Sequence, residues 1–373
     1  MHRIGIGCTV YRKGIKFNDI DGIGIYTKNL LEKINKSKYQ VYEYEFVSSL
    51  NNYPESENHF KVNKFSLLLS NFGVKLTSMK ELIGNIDLFH STDYFVPEIL
   101  DKPLIATLMD TIPFSNPEFI RSNIINKAKL SLWRRSLNNA SHIITISDYS
   151  KFMINKFLGI NKKNISVVSL GIENSFYSRC DESSINDVKR KYNLPNIFFL
   201  AVGTIQPRKN YSKLIDAYNL LPKKYQELCP LVLIGKYGWG CDDLYYLLTN
   251  NTNPNIIWLK YVERNDLLII YKLARAFFFI SLYEGFGLPL IEAFASKIPA
   301  VFSDTTSLKE IGGDNGFRVD PNNINLINEY MRNFILNRSF GMNEVDKSFE
   351  YSKLFTWENT VKETQKIYDF FIP

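Results

Sequence analysis

The stretch "AFFFISLYEGFGLPLIEAFA", residues 276–295, decides the fold. Its first five residues are continuously apolar, as in a strand buried on both faces. Gly285 and Gly287 then make a tight turn, and Pro289 suits an early helix position, where its missing N–H is not needed. A buried strand running through a glycine turn into a helix is the repeating unit of a parallel sheet flanked by helices. The same stretch carries Glu284 on the turn and Glu292 one turn inside the helix. In open α/β sheets ligands bind at the carboxyl ends of strands, where a helix N-terminus offers N–H groups and partial positive charge to a phosphate. Two acids at such a turn either compensate the helix dipole or hold one ligand from two sides.

The pattern repeats in both directions. Before it lie "IFFLAVG" (197–203), "PLVLIG" (230–235) and "NIIWLKYV" (255–262), and after it "PAVFSD" (299–304). An earlier series comprises "RIGIGCTV" (3–10), "QVYEYEFV" (40–47), "DLFHS" (87–91), "PLIATLM" (103–109), "HIITIS" (142–147) and "ISVVSL" (165–170). Helix-like stretches separate many of them, so the spacing predicts two Rossmann-like α/β domains. A length of 373 residues suits two domains. The polar run "SRCDESSINDVKRKYNLP" (178–195) reads as their connection. The expected organisation is a first domain over 1–178, a linker over 179–195, a second domain over 196–354 and a final helix over 355–373. That helix, "FTWENTVKETQKIYDFF" (355–371), starts with a cap at Thr356 and shows an apolar stripe of Val361, Ile367, Phe370 and Phe371.

Composition narrows the partners. A formal charge of +7 favours anionic ones, such as phosphates, nucleic acid or acidic lipid. Cys8, Cys180, Cys229 and Cys241 are far apart and form no CxxC pair, which argues against a zinc site or disulfide scaffold and for a reducing cytoplasm. No run approaches the roughly 18 to 20 apolar residues of a membrane span.

Three other places carry candidate chemistry. In "VGTIQPRKNYSKLIDAY" (202–218), a strand end passes through Gly203 and Thr204 to Arg208 and Lys209. A planar fork beside a mobile point charge suits a diphosphate. In "NDIDGIGIYTKNLL" (18–31), Gly22 and Gly24 open a helix, while Asp19 and Asp21 spell a DxD read as part of the glycine loop rather than as a metal site. In "FHSTDYFVP" (89–97) and "TLMDTIPF" (107–114), His90, Asp93 and Asp110 end buried strands, with structural hydrogen bonding as the plain alternative. The segment "INKAKLSLWRRSLNN" (125–139) combines Lys127, Lys129, Arg134 and Arg135 with Trp133, as an interfacial basic helix or a solvated face would.

Taken in order, these strings resemble the retaining glycosyltransferases of family 4, with Glu284 and Glu292 in its E-x7-E motif. "SHIITISDYSK" (141–151), "SLKEIGGDNGFRVDP" (307–321) and the terminal helix extend the likeness over nearly the whole chain. The resemblance implies the GT-B fold, with two facing Rossmann domains, a donor cleft between them and a last helix that crosses back to the first. It implies Glu284 beside the donor sugar, Glu292 on the ribose hydroxyls, and Arg208 and Lys209 on the diphosphate. The backbone of Gly285, Phe286, Gly287 and Leu288 would meet donor phosphate and sugar, with Gly203, Thr204 and Val262 also lining the donor, and Gly22 and Gly24 approaching from the first domain. Glu284, Asp110, Arg208 and Lys209 are the expected catalytic residues, and His90, Asp93 and Asp110 the acceptor-side candidates. Two departures stand out: Met109 occupies the place where many relatives carry a histidine before the aspartate, and Thr204 the place of an arginine.

The resemblance also implies a hexose moved with retention from a nucleotide-sugar to a glycan or lipid-linked glycan of the cell surface. No metal or other cofactor is expected. "DGIGIY" resembles mannosyltransferases, favouring GDP-mannose, with UDP- and dTDP-sugars open. The expected place is the cytoplasm, peripheral on the inner membrane face through the 125–139 helix, with no nucleic acid bound. A nicotinamide enzyme would want an intact GxGxxG after the first strand, which is missing. A non-enzymatic basic protein, bound to membrane or nucleic acid, would depend on the 125–139 charges and not on Glu284.

Overall fold

The computed structural model describes residues 1–17, 20–47, 53–56, 58–63, 86–93, 96–97, 102–119, 124–250 and 252–372, and only the backbone of 53–56, 124–129 and 132. The chain divides into two compact units, Met1–Gly171 with Trp357–Pro373, and Ile172–Thr356.

The first unit is built on strands β1 (His2–Gly7), β2 (Tyr39–Val47), β3 (Tyr53–Ser56), β4 (His59–Asn63), β5 (Leu88–Ser91), β6 (Leu104–Thr107), β7 (His142–Thr145) and β8 (Ile165–Val167). Their spatial order is β3-β4-β2-β1-β5-β6-β7-β8, parallel except for β3 against β4. The order runs outward in both directions from β1 and β5, which makes that pair the switch point of the sheet. The 3–10 run ends as a strand at Gly7, and Thr9–Phe17 is helical instead. Helix Gly22–Lys33 follows, capped by Asp21, whose carboxylate accepts from the Gly24 amide at 2.9 Å. Asp21 thus serves the backbone, and Asp19 lies outside the described residues.

Helix Trp357–Phe371 packs in this unit. Lys33 pairs with Glu358 and Lys38 with Asp369, each at 2.7 Å. Its buried face is Trp357, Thr360, Val361, Thr364 and Tyr368. Of the expected stripe, Val361 is buried and Ile367 and Phe371 are half-buried, while Phe370 is corrected here: it is 80% exposed. Three residues with polar groups, Thr360, Thr364 and Tyr368, share the inward side with Val361, so apolarity alone misplaces the face.

The second unit is built on β9 (Phe199–Val202), β10 (Leu231–Ile234), β11 (Ile256–Leu259), β12 (Ala276–Phe279), β13 (Ala300–Ser303) and β14 (Phe317–Val319), all parallel in the order β11-β10-β9-β12-β13-β14. β9, β10, β12 and β13 are buried along their whole length, apart from half-buried Val202 at the end of β9. Phe199 and Phe278 meet edge-to-face across β9 and β12 at 5.2 Å. The switch point falls between β9 and β12, so the loops 203–210 and 280–287 open side by side. Helix Glu182–Lys191, capped by Asp181, occupies the segment that composition suggested as a linker, and it lies inside this unit. Its single buried residue, Val188, makes it read as solvated chain.

Candidate donor site

The two loops at the second switch point converge on Glu284. Its carboxylate accepts from Lys209 Nζ at 2.6 Å on one oxygen and from Arg208 Nη1 at 2.9 Å on the other. Arg208 Nη1 also donates to the Tyr283 carbonyl at 3.2 Å, and the Leu282 amide donates to the Arg208 carbonyl at 2.7 Å. Asn210, in the left-handed region at φ 59°, sends its side-chain amide to the carbonyls of Ile280 and Pro321 at 3.3 and 2.8 Å. These bonds tie the loop after β9 to the loop after β12 before any ligand arrives.

Lys209 is buried, with its ammonium 4.7 Å above the centre of the Phe279 ring. Gly203, at φ 147°, lets it pass: a Cβ there would come within 3.1 Å of Lys209 Cε. Burial lowers the Lys209 pKa to about 8, although Glu284 pulls the other way. Burial alone would raise Glu284, but the fields of Arg208 and Lys209 override it and hold the carboxyl at about 2. Glu284 is therefore an anion at every physiological pH and no proton donor.

Thr306 and Ser307, which the sequence reading did not assign, support this cluster from the loop after β13. Thr306 Oγ1 accepts from the Glu284 amide at 3.3 Å, and Ser307 Oγ donates to the carbonyls of Glu284 and Phe286 at 2.8 and 3.1 Å. Thr306 takes φ 54°, a costly setting for a β-branched residue that persists where surroundings impose it. Gly287, at φ 116°, opens helix Leu288–Ala295, where a Cβ would stand 2.5 Å from Leu308. The exposed Thr204 follows β9 and the buried Val262 follows β11 in the same unit.

Glu292 does not share the Glu284 cluster. It lies buried against Arg264 Nη2 at 2.6 Å, and Arg264 also reaches Glu173 at 3.3 Å and stacks on Phe176 at 4.9 Å. Burial opposes the charge of Arg264, but Glu292 and Glu173 hold its pKa above the ordinary value. Arg264 and Glu173 were also missed: nothing in "VERNDLL" separates a buried arginine from an exposed one.

The first-unit candidates behave differently. His90 is fully buried, with Nδ1 2.6 Å from Tyr368 Oη and Nε2 2.7 Å from Thr107 Oγ1. Burial depresses it to about 3, so the ring is neutral. It fastens the last helix to β6 and offers no surface to an acceptor. Asp110, half-buried, accepts from the Ile112 amide at 3.0 Å at the start of a short helix, and Asp93, also half-buried, follows β5. Gly22 is open, with nothing within 4 Å of a Cβ, whereas Gly24 is packed against Ile20 and Tyr11. In the basic helix Ile124–Leu137, Arg134 donates to the Phe157 carbonyl, and the Lys127 and Lys129 side chains lie outside the described residues. No helix among the described residues is long and apolar enough to cross a membrane.

Two family models match the chain: "Glycosyltransferase Family 4" over residues 20–176 and "Glycosyl transferases group 1" over 184–352. An O-antigen chain mannosyltransferase B of Escherichia coli is 32% identical over 283 residues, covering 75% of this chain and 74% of that one. The serotype-specific mannosyltransferase WbdA of Escherichia coli is 30% identical over 285 residues, which span 73% of this chain and only 34% of WbdA. Among solved structures, sucrose-phosphate synthase of Thermosynechococcus elongatus superposes with a TM-score of 0.74 at 17% identity, covering 99% of this chain and 98% of that one. At that identity the likeness bears on the fold, which is GT-B.

Proposed function

This chain belongs to glycosyltransferase family 4 and is a glycosyltransferase of polysaccharide biosynthesis, and we propose that it moves mannose from GDP-mannose, with retention, to a glycan or lipid-linked glycan. The observation that carries the reading is the cluster of buried Glu284 and Lys209 with half-buried Arg208 at a sheet switch point. Breaking the bond between sugar and diphosphate puts negative charge on the leaving group and positive character on the anomeric carbon. Arg208 and Lys209, already fixed by loop hydrogen bonds, meet the first, and the ionised Glu284 meets the second. The amides at the start of helix Leu288–Ala295 add donors for phosphate. Leaving-group departure in this scheme needs no proton from Glu284.

Glu292, with Arg264 holding its carboxylate, is the proposed ribose ligand. The first unit is proposed to receive the acceptor, with Asp93 and Asp110 at its strand ends. Mannose is favoured by the two mannosyltransferase relatives, each about 30% identical, and GDP as its carrier rests on the resemblance of "DGIGIY" to mannosyltransferases. A thermal-shift panel of GDP, UDP, ADP and dTDP tests the nucleotide, because a ligand at 100 times its Kd adds about 2.7 kcal/mol of stability. GDP is expected to give the largest shift. No response to any nucleotide would overturn the donor-site assignment, and an inverted anomer in the product, read by NMR, would overturn retention.

A further inference from the structure

The loop after β13 meets the turn after β12 residue by residue. Thr306 Oγ1 accepts from the Glu284 amide at 3.3 Å, and Ser307 Oγ donates to the Glu284 and Phe286 carbonyls at 2.8 and 3.1 Å. Leu308 closes on Gly287, where a Cβ would stand 2.5 Å from its Cδ2. Ser307 and Leu308 are fully buried and Thr306 is half-buried. Three consecutive side chains at the start of helix Thr306–Gly312 thus brace the turn that carries Glu284.

An ordinary helix start would look different. Thr305, at the N-cap position, has a hydroxyl suited to capping, yet it makes no cap bond, and its buried Oγ1 has no partner among the described residues. Thr306 stands at φ 54°, in the left-handed region that a β-branched residue avoids. An unmade cap, an unpaired hydroxyl and a strained residue at one junction are three separate costs to stability. Glycine would take the angle freely, but it would remove the acceptor that the Glu284 amide meets. Backbone strain of this kind persists where the surroundings impose it, and it gathers at functional sites.

We propose that Thr306 is a positioning residue for sugar transfer: its hydroxyl, held in place by the left-handed backbone, fixes the Glu284 amide and with it the turn from Glu284 to Gly287. This role rests on the donor-site reading, and it needs no contact between Thr306 and the donor. The test compares Thr306→Gly with Thr306→Ser in the full chain. Glycine accepts the angle, so the unfolding midpoint of Thr306→Gly is expected to stay or rise. Its kcat is expected to fall by about tenfold or more, because a small misplacement of a catalytic group has effects on that scale. Hydrogen exchange of residues 282–290, read by mass spectrometry without ligand, should quicken in Thr306→Gly, while β9 and β10 keep the parent's rate. Thr306→Ser, which returns the hydroxyl, should recover most of the kcat and the slow exchange. A glycine variant with kcat within about threefold of the parent, a serine variant no better than the glycine one, or a loss that comes with a lowered midpoint and faster exchange throughout the unit would overturn the proposal. The donor-site reading fails differently: the parent itself would then show no nucleotide shift, while exchange at 282–290 would still report whether Thr306 holds the turn.

Discussion

The two sheets fill the ends of their switch-point strands with opposite chemistry. In the second unit a carboxylate and a lysine are buried together beside a half-buried arginine, although burying charge is expensive even when it is paired. In the first unit the equivalent place holds a neutral chain of hydrogen bonds, Thr107 to His90 to Tyr368. Each ring nitrogen of that histidine has a partner from the protein, and no charge is involved. One network tolerates a cost that stability alone would not select, while the other closes a fold by fastening its last helix. The difference separates a proposed site from a staple, and it predicts that substitutions in the two networks fail in different measurements.

Lys209→Ala should show the largest effect. Removing one preorganised donor to a developing anion typically costs about 100 to 1,000-fold in rate. The buried Glu284 would keep Arg208, so the variant should still fold. Steady-state transfer activity checks the loss, and activity within threefold of the parent would return Lys209 to a structural role.

The opposite pattern is expected from Tyr368→Phe. The His90 ring nitrogen facing it would be buried without a partner, a cost of about 1–3 kcal/mol. Denaturant titration should show that loss while kcat stays within threefold, because His90 is enclosed and neutral near pH 7. A fall in kcat at unchanged stability would mean that the staple is part of the reaction.

How far the sequence revealed this contrast depends on what each residue answers to. Strands such as 276–279 and 231–234 were legible because burial on both faces leaves a continuous apolar run. Arg208, Lys209 and Glu284 were legible because strand end, glycine turn and helix start fix their place locally. His90 was readable as a strand end but not as a staple, since Tyr368 lies 278 residues away. Arg264 was invisible for the same reason: only the packing of its helix turns it toward Glu292. The contribution of Thr306 depends on a backbone angle that no residue type announces, as β-branched side chains avoid it.

A pH profile sharpens the comparison within the charged network. Lys209, lowered to about 8, should lose its proton as the pH rises through that value, so kcat/KM for the donor should fall about tenfold per unit above it. Stability should move the other way. The folded pKa lies below the ordinary 10.5, so the unfolded chain binds more protons between 8 and 10.5 and folding becomes easier there. The alkaline limb is thus a loss of charge and not of structure. Lys209→Arg should flatten it, and a limb unchanged in that variant would assign the titration to another group.

The smallest effect is expected two residues beyond the staple, at Phe370. The side chain is 80% exposed, on the face of the last helix turned away from Thr364 and Tyr368. Exposed apolar surface contributes little to folding, and surface substitutions usually fall within about 0.5 kcal/mol. Phe370→Ser should therefore leave the denaturation midpoint where it is, although by composition Phe370 looks more like a core residue than Tyr368 does. A loss above about 1 kcal/mol would mean that this ring is covered in the working protein, and that the buried face of the helix is wider than Trp357, Thr360, Val361, Thr364 and Tyr368.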